Sequence, residues 1–166
     1  MTHRTVRSAS LIRTFIFGVE DSLVSTVGLL SGIAIAGVPR RTVFLTGIVL
    51  VFVEAFSMAV GSYLAENSAE EYLRHRDEPL RVTLTIAGTM FASYFFSGFI
   101  PLFPYLLANV HEALWISIAA SLAALFTLGV FGARLAHVPV FRRGIRILLI
   151  GGFAIAVGIA AGQLVM

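Results

Sequence analysis

The sequence predicts an all-α integral membrane protein with five transmembrane helices. The chain of 166 residues is 58% hydrophobic and has a mean hydropathy of +0.92, which is more apolar surface than a soluble domain of this size buries. Its apolar residues form five long segments, each with enough residues to cross about 30 Å of hydrocarbon at about 1.5 Å per residue. The chain has no cysteine, which excludes disulfides and thiolate metal sites.

The five spans follow one another with short breaks, so we expect a single transmembrane domain over residues 1–166. The first span ends at the glycine, proline and arginine residues of positions 37–41. A polar segment, residues 66–81, separates the second span from the third. Pro101 and Pro104 should kink or terminate the third helix near its end. The predicted spans are about 14–36, 43–65, 82–107, 113–133 and 145–166.

The arginines predict how the bundle crosses the membrane. All basic side chains other than histidine are arginine, and cytoplasmic loops carry an excess of such charges. With the N-terminus in the cytoplasm, only Arg40 and Arg41 lie on the outer side. The remaining arginines then lie inside, at positions 4, 7, 13, 74, 76, 81, 134, 142, 143 and 146. The pattern therefore predicts a cytoplasmic N-terminus, an external C-terminus and a cytoplasmic segment 66–81.

Three acidic residues lie within predicted spans. Glu20 and Asp21 are in the first span, and Glu54 is near the middle of the second. A carboxylate in hydrocarbon costs several kcal/mol unless it is paired, protonated or hydrated, so such residues usually mark an ion or proton pathway. Glu20 points about 100° away from Asp21 on a helix, and its simpler role is to pair with an arginine.

Residue spacing places the other polar and small residues on two helix faces. If the two faces meet, Asp21 and Glu54 supply oxygen and Met58, one turn after Glu54, supplies sulfur. Oxygen and soft sulfur together suit a divalent transition metal. The alternatives are that Glu54 is a protonated acid serving helix assembly and that Met58 fills a core gap. The faces are Asp21, Ser25, Gly28 and Gly32 on the first helix and Gly47, Glu54, Met58 and Gly61 on the second.

Small residues also recur at the spacing typical of close helix contacts. Gly28 and Gly32 form one G-x-x-x-G pair, and Gly158 and Gly162 form another. Such pairs allow two helices to approach closely, either within one subunit or between subunits.

The polar segment contains a second set of possible metal ligands. Glu66 and Glu70 share a face if the second helix continues, and Glu71 and His75 form another i,i+4 pair. The alternative is a solvated helix end with acidic and basic residues intermixed.

Three runs of residues resemble the vacuolar iron transporter family. Residues Gly18–Leu29 resemble its first-helix signature, Glu54–Leu64 its second-helix signature and Gly98–Tyr105 the end of its third helix. The resemblance implies a five-helix protomer that forms a homodimer, with the ion path between protomers. It also implies export of Fe²⁺, and of Mn²⁺, from the cytosol in exchange for protons. By motif position, Asp21 and Met58 match residues that line the path in the family.

The chain departs from characterised plant members of that family in two ways. Those members have a glutamate two turns before the methionine, where this chain has Leu50, and Glu54 lies one turn before Met58 instead. They also carry a long cytoplasmic helical domain that collects metal, whereas this chain has only residues 66–81 there. The resemblance therefore implies a short, bacterial-type member, in which Glu66, Glu70, Glu71 and His75 would form a reduced collecting site.

The sequence thus predicts a proton-coupled exporter of Fe²⁺ or Mn²⁺, in a bacterial inner membrane. The metal is the transported substrate and H⁺ the coupling ion, and we expect no resident cofactor and no nucleic-acid partner. No phosphate-binding loop or hydrolase motif is present, so an ATP-driven pump or an enzyme is not indicated. One alternative is a proton-coupled exporter of organic cations, with Phe52 and Phe56 near Glu54. The other is a membrane assembly subunit that transports nothing.

Overall fold

The computed structural model describes residues 3–74, 79–135 and 139–164. These residues are almost entirely helical, and five of their helices are long and apolar enough to cross a membrane, which confirms the predicted fold class. The helices are α1 (His3–Ile35), α2 (Arg40–Arg74), α3 (Leu80–Leu102), α4 (Pro104–Leu107), α5 (Val110–Leu135) and α6 (Val140–Leu164).

The breaks between helices follow from glycine and proline. Between α1 and α2, Gly37 adopts a φ of 75°, which favours glycine because a Cβ is strained there, and Pro39 follows two residues later. At the end of α3, Pro101 lies in the last turn and Pro104 begins the four-residue α4. The third helix therefore ends at Leu102 and does not continue to residue 107.

Helix α2 extends well beyond its predicted span. It contains 35 residues, about 52 Å at 1.5 Å per residue, whereas the hydrocarbon core is about 30 Å thick. No glycine or proline interrupts residues 62–74, so the helix continues through Glu66 and Glu70. Glu66, Glu70 and Glu71 thus lie on the C-terminal end of α2 and not in a loop.

Helix α1 is the centre of the bundle. Half of the residues in its most apolar stretch are buried, against 22% for α2, and it packs on α3, α5 and α6. Helix α3 packs on both α1 and α2, more extensively than those two pack on each other. Helix α3 therefore lies against both of the helices whose faces were predicted to meet, and α1 and α2 also contact each other.

The glycine pairs lie against each other within one chain. A Cβ on Gly158 would meet the backbone of Gly28, and a Cβ on Gly162 would meet the backbone of Gly32. This contact joins α1 to α6, so Gly28 and Gly32 turn towards α6 and do not line a passage with α2. The sequence left open whether these glycines join helices within a subunit or between subunits. The structure shows a contact within one chain.

Candidate functional site

Asp21 of α1 and Glu54 of α2 lie near each other in the middle of the bundle. Both side chains are half-buried, and the charges of the two carboxyl groups interact. The structure thus brings together two of the sequence-predicted ligands from separate helices. Two carboxylates side by side repel each other, so a proton or a cation between them stabilises the pair.

Tyr94 of α3 completes this cluster. Its side chain is fully buried, and its hydroxyl group lies 2.7 Å from the Ser25 Oγ atom. The Tyr94 hydroxyl also interacts electrostatically with both Asp21 and Glu54. One turn earlier on α1, the Ser22 hydroxyl donates a hydrogen bond to the Tyr94 carbonyl oxygen at 2.6 Å. Sequence analysis missed Tyr94, although a tyrosine inside an apolar span needs a partner for its hydroxyl group.

Two glycines allow α3 to approach the acidic pair. A Cβ on Gly98 would lie 2.9 Å from the Ser22 Oγ atom and 2.7 Å from the Val51 Cγ2 atom. A Cβ on Gly18 would lie 3.1 Å from the Met90 Sδ atom and would overlap the Ser93 hydroxyl group. Larger residues at these positions would separate α3 from α1, so the glycines fix where Tyr94 lies.

Met58 lies one turn away from the acidic pair, beside a second methionine. It lines a cavity of about 430 Å³ with Met90 of α3 and with Thr14 of α1. Two thioethers and the hydroxyl groups of Thr14 and Ser62 therefore line one space, which suits a soft or borderline cation. Arg13 lines the same cavity and would repel a cation at that edge. Sequence analysis did not select Met90, since no acidic residue accompanies it on α3.

The C-terminal end of α2 carries the other acidic residues predicted to bind metal. The Ser10 hydroxyl donates to a Glu66 carboxylate oxygen at 3.5 Å, and Glu71 is exposed. His75 lies outside the described residues. Among the residues that the structure describes, no three acidic or histidine side chains are grouped closely enough to hold a metal ion. The described part of the chain thus offers carboxylates in pairs at most.

Glu20 faces the other side of α1. It lines two cavities, one with Arg13 and one with Arg142 and Arg146, and is not part of the Asp21–Glu54 cluster. Glu20 and Asp21, although adjacent in sequence, therefore have different surroundings.

The phenylalanines near Glu54 do not form an aromatic cage in the protomer. The Phe52 ring packs edge-on against Phe95 of α3, with ring centroids 5.0 Å apart, and Phe56 is 66% exposed. Recognition of an organic cation would need ring faces turned towards the carboxylate.

The chain is similar to known proteins along nearly its whole length. The model of a family described as the VIT family matches residues 12–82 and 76–163. Vacuolar iron transporter homolog 1 of Arabidopsis thaliana is 25% identical over 170 residues, covering 96% of this chain and 85% of that protein. Homolog 4 from the same plant is 26% identical, covering 96% and 86%. Vacuolar iron transporter 1 of Tulipa gesneriana is 35% identical over 65 residues, covering 39% of this chain and 26% of that protein.

Proposed function

This chain belongs to the VIT family, and we propose that it exports a divalent transition metal, Fe²⁺ or Mn²⁺, from the cytosol in exchange for protons. The observation that carries the proposal is the pairing of Asp21 with Glu54 inside the membrane-spanning bundle. Intramembrane acids on two facing helices are the usual elements of a coupled ion pathway.

Charge balance explains why such a pair would couple metal to protons. Two ionised carboxylates in hydrocarbon are unfavourable, but they become neutral when both are protonated or when they bind one divalent cation. The pair therefore has two neutral states, one with two protons bound and one with a divalent metal ion bound. Exchanging the protons for the metal across the membrane is antiport. Tyr94, through its hydrogen bond to Ser25, would hold the hydroxyl beside the two acids in either state.

A complete metal site needs more ligands than one protomer brings together. We propose that a second copy supplies them in a homodimer, with the metal path between protomers. Helix α2 leaves surface for such an interface, because only 22% of its most apolar stretch is buried within the chain.

The ligand types favour a transition metal over Mg²⁺ or Ca²⁺. Carboxylates at Asp21 and Glu54 accept any divalent cation, whereas the thioethers of Met58 and Met90 add little for a hard cation. The proposed route begins at the cytoplasmic end of α2, where Glu66, Glu70, Glu71 and His75 would collect metal. This direction goes with a cytoplasmic N-terminus and with a bacterial inner membrane.

Metal flux into proteoliposomes tests the proposal. Fe²⁺ and Mn²⁺ flux are measured with and without an imposed pH gradient, for the wild type, Glu54→Gln and the control Glu112→Gln, an exposed acid in the first turn of α5 outside the proposed path. We expect gradient-dependent flux that Glu54→Gln abolishes and Glu112→Gln keeps. A folded wild type that moves no metal above empty liposomes would support the organic-cation exporter or the non-transporting assembly subunit, and organic-cation flux separates those two.

A further inference from the structure

Helix α6 begins with two arginines on one face. Arg142 and Arg146 are exposed and four residues apart, so their side chains lie one above the other within the first two turns. They line a cavity of about 1150 Å³ together with Glu20 of α1 and apolar residues of α6. The cavity lies on the side of α1 away from Asp21 and Glu54, so it is separate from the proposed metal path.

The same face of α6 turns apolar immediately beyond the arginines. Leu149 is 64% exposed, Ile150 is 50% exposed and Phe153 is 73% exposed. From Arg142 to Phe153 the helix rises about 16 Å, roughly half of the hydrocarbon thickness. This face of α6 is therefore cationic at the start of the helix and apolar further along, within the thickness of one leaflet. A phospholipid changes in the same way from its charged headgroup to its acyl chains.

Arg142 and Arg146 show no hydrogen bond or ion pair among the described residues. Glu20 lines the same cavity and has an interaction of its own. Arginine binds phosphate through two parallel hydrogen bonds, and its charge remains in any membrane environment.

We propose that Arg142 and Arg146 form a binding site for an anionic phospholipid. The guanidinium groups hold the headgroup phosphate, and the acyl chains lie along Leu149, Ile150 and Phe153. The site would bind lipid to α6, the helix whose Gly158 and Gly162 pack against α1. It does not depend on the proposed transport function.

The test compares lipid binding by variants that lose the same charge at different places. Purified, delipidated protein is titrated with phosphatidylglycerol or phosphatidylcholine, and bound lipid is counted by native mass spectrometry beside the thermal unfolding midpoint. Arg142→Gln/Arg146→Gln removes the site. Arg134→Gln/Arg81→Gln is the matched control, because these residues are exposed at helix ends and do not line the cavity. Arg142→Lys/Arg146→Lys keeps the charge without the paired hydrogen bonds.

We expect wild type to prefer phosphatidylglycerol and to be stabilised by it, and the site variant to bind it at least about tenfold more weakly, which is about 1.4 kcal/mol. The control should bind like wild type, and the lysine variant should fall between. Equal losses in the site variant and the control would show diffuse attraction and overturn the proposal. So would equal binding of phosphatidylcholine, or the same stabilisation by inorganic phosphate alone, which would indicate a small-anion site.

Discussion

The hydroxyl groups of Ser25 and Tyr94 lie 2.7 Å apart and connect α1 to α3 beside the acidic pair. Ser22 makes a second connection by donating to the Tyr94 carbonyl oxygen at 2.6 Å. A hydroxyl that is hydrogen-bonded and buried keeps one position, so Tyr94 presents a fixed polar group to Asp21 and Glu54. The acidic pair therefore belongs to a three-helix unit, although its carboxylates come from two helices.

Tyr94→Phe tests this role directly. We expect Mn²⁺ affinity to fall by about tenfold, because groups that orient metal ligands typically contribute about 10–100-fold. Isothermal titration in detergent gives the affinity, and the unfolding midpoint reports stability in parallel. Tyr72→Phe is the control, since Tyr72 is exposed near the C-terminal end of α2. An unchanged affinity with a lowered midpoint would assign Tyr94 to packing alone.

Glu54→Gln should uncouple metal from protons. The amide has nearly the shape of the carboxylate, but it neither ionises nor binds a proton near neutral pH. The pair can therefore no longer alternate between its protonated and its metal-bound state. We expect metal-driven proton movement, followed with a pH-sensitive dye inside liposomes, to disappear. Asp21→Asn should give the same loss. Proton movement that keeps its wild-type size in Glu54→Gln would remove this residue from the mechanism.

Met90→Leu should alter which metal is preferred. Leucine has a similar volume but no sulfur, so the core is expected to lose less than about 1.5 kcal/mol of stability. Binding of Fe²⁺ should weaken several-fold while binding of Mg²⁺ stays constant, because a hard cation gains little from a thioether. Met58→Leu should likewise weaken Fe²⁺ binding without changing Mg²⁺ binding. The control is Ile86→Leu, a buried substitution one turn before Met90 on α3, which should leave both affinities unchanged. Equal effects on the two metals would make the methionines packing residues.

Gly158→Ala should destabilise the bundle. The added Cβ would collide with the Gly28 backbone, which cannot rotate away as a side chain can. Overpacking of this kind typically costs about 1–3 kcal/mol. Gly152→Ala on the same helix is the control, because nothing lies within 4 Å of its added Cβ. Thermal unfolding of the two variants in one detergent compares them, and equal midpoints would refute a tight α1–α6 contact.

Much of the fold was predictable from local composition. Apolar length sets the number of spans, and prolines and a glycine set the breaks, because these effects act within a few residues of chain. Composition does not fix how far α2 extends towards Arg74, since a polar helix end resembles a polar loop in composition. The acids in the spans were also visible in the sequence, because a charge in hydrocarbon is exceptional wherever it occurs.

The partners of those residues were not predictable, because helix spacing gives the face of a residue and not the helix it meets. Gly28 follows Asp21 along one predicted face, yet Gly28 lies against Gly158 of α6 while Asp21 lies near Glu54 of α2. By itself the sequence determined five spans and the acids within them, which depend on local chain chemistry. Only the tertiary structure decided that Tyr94 joins the acidic pair and that Met90 joins Met58, because these groupings depend on which helices pack together.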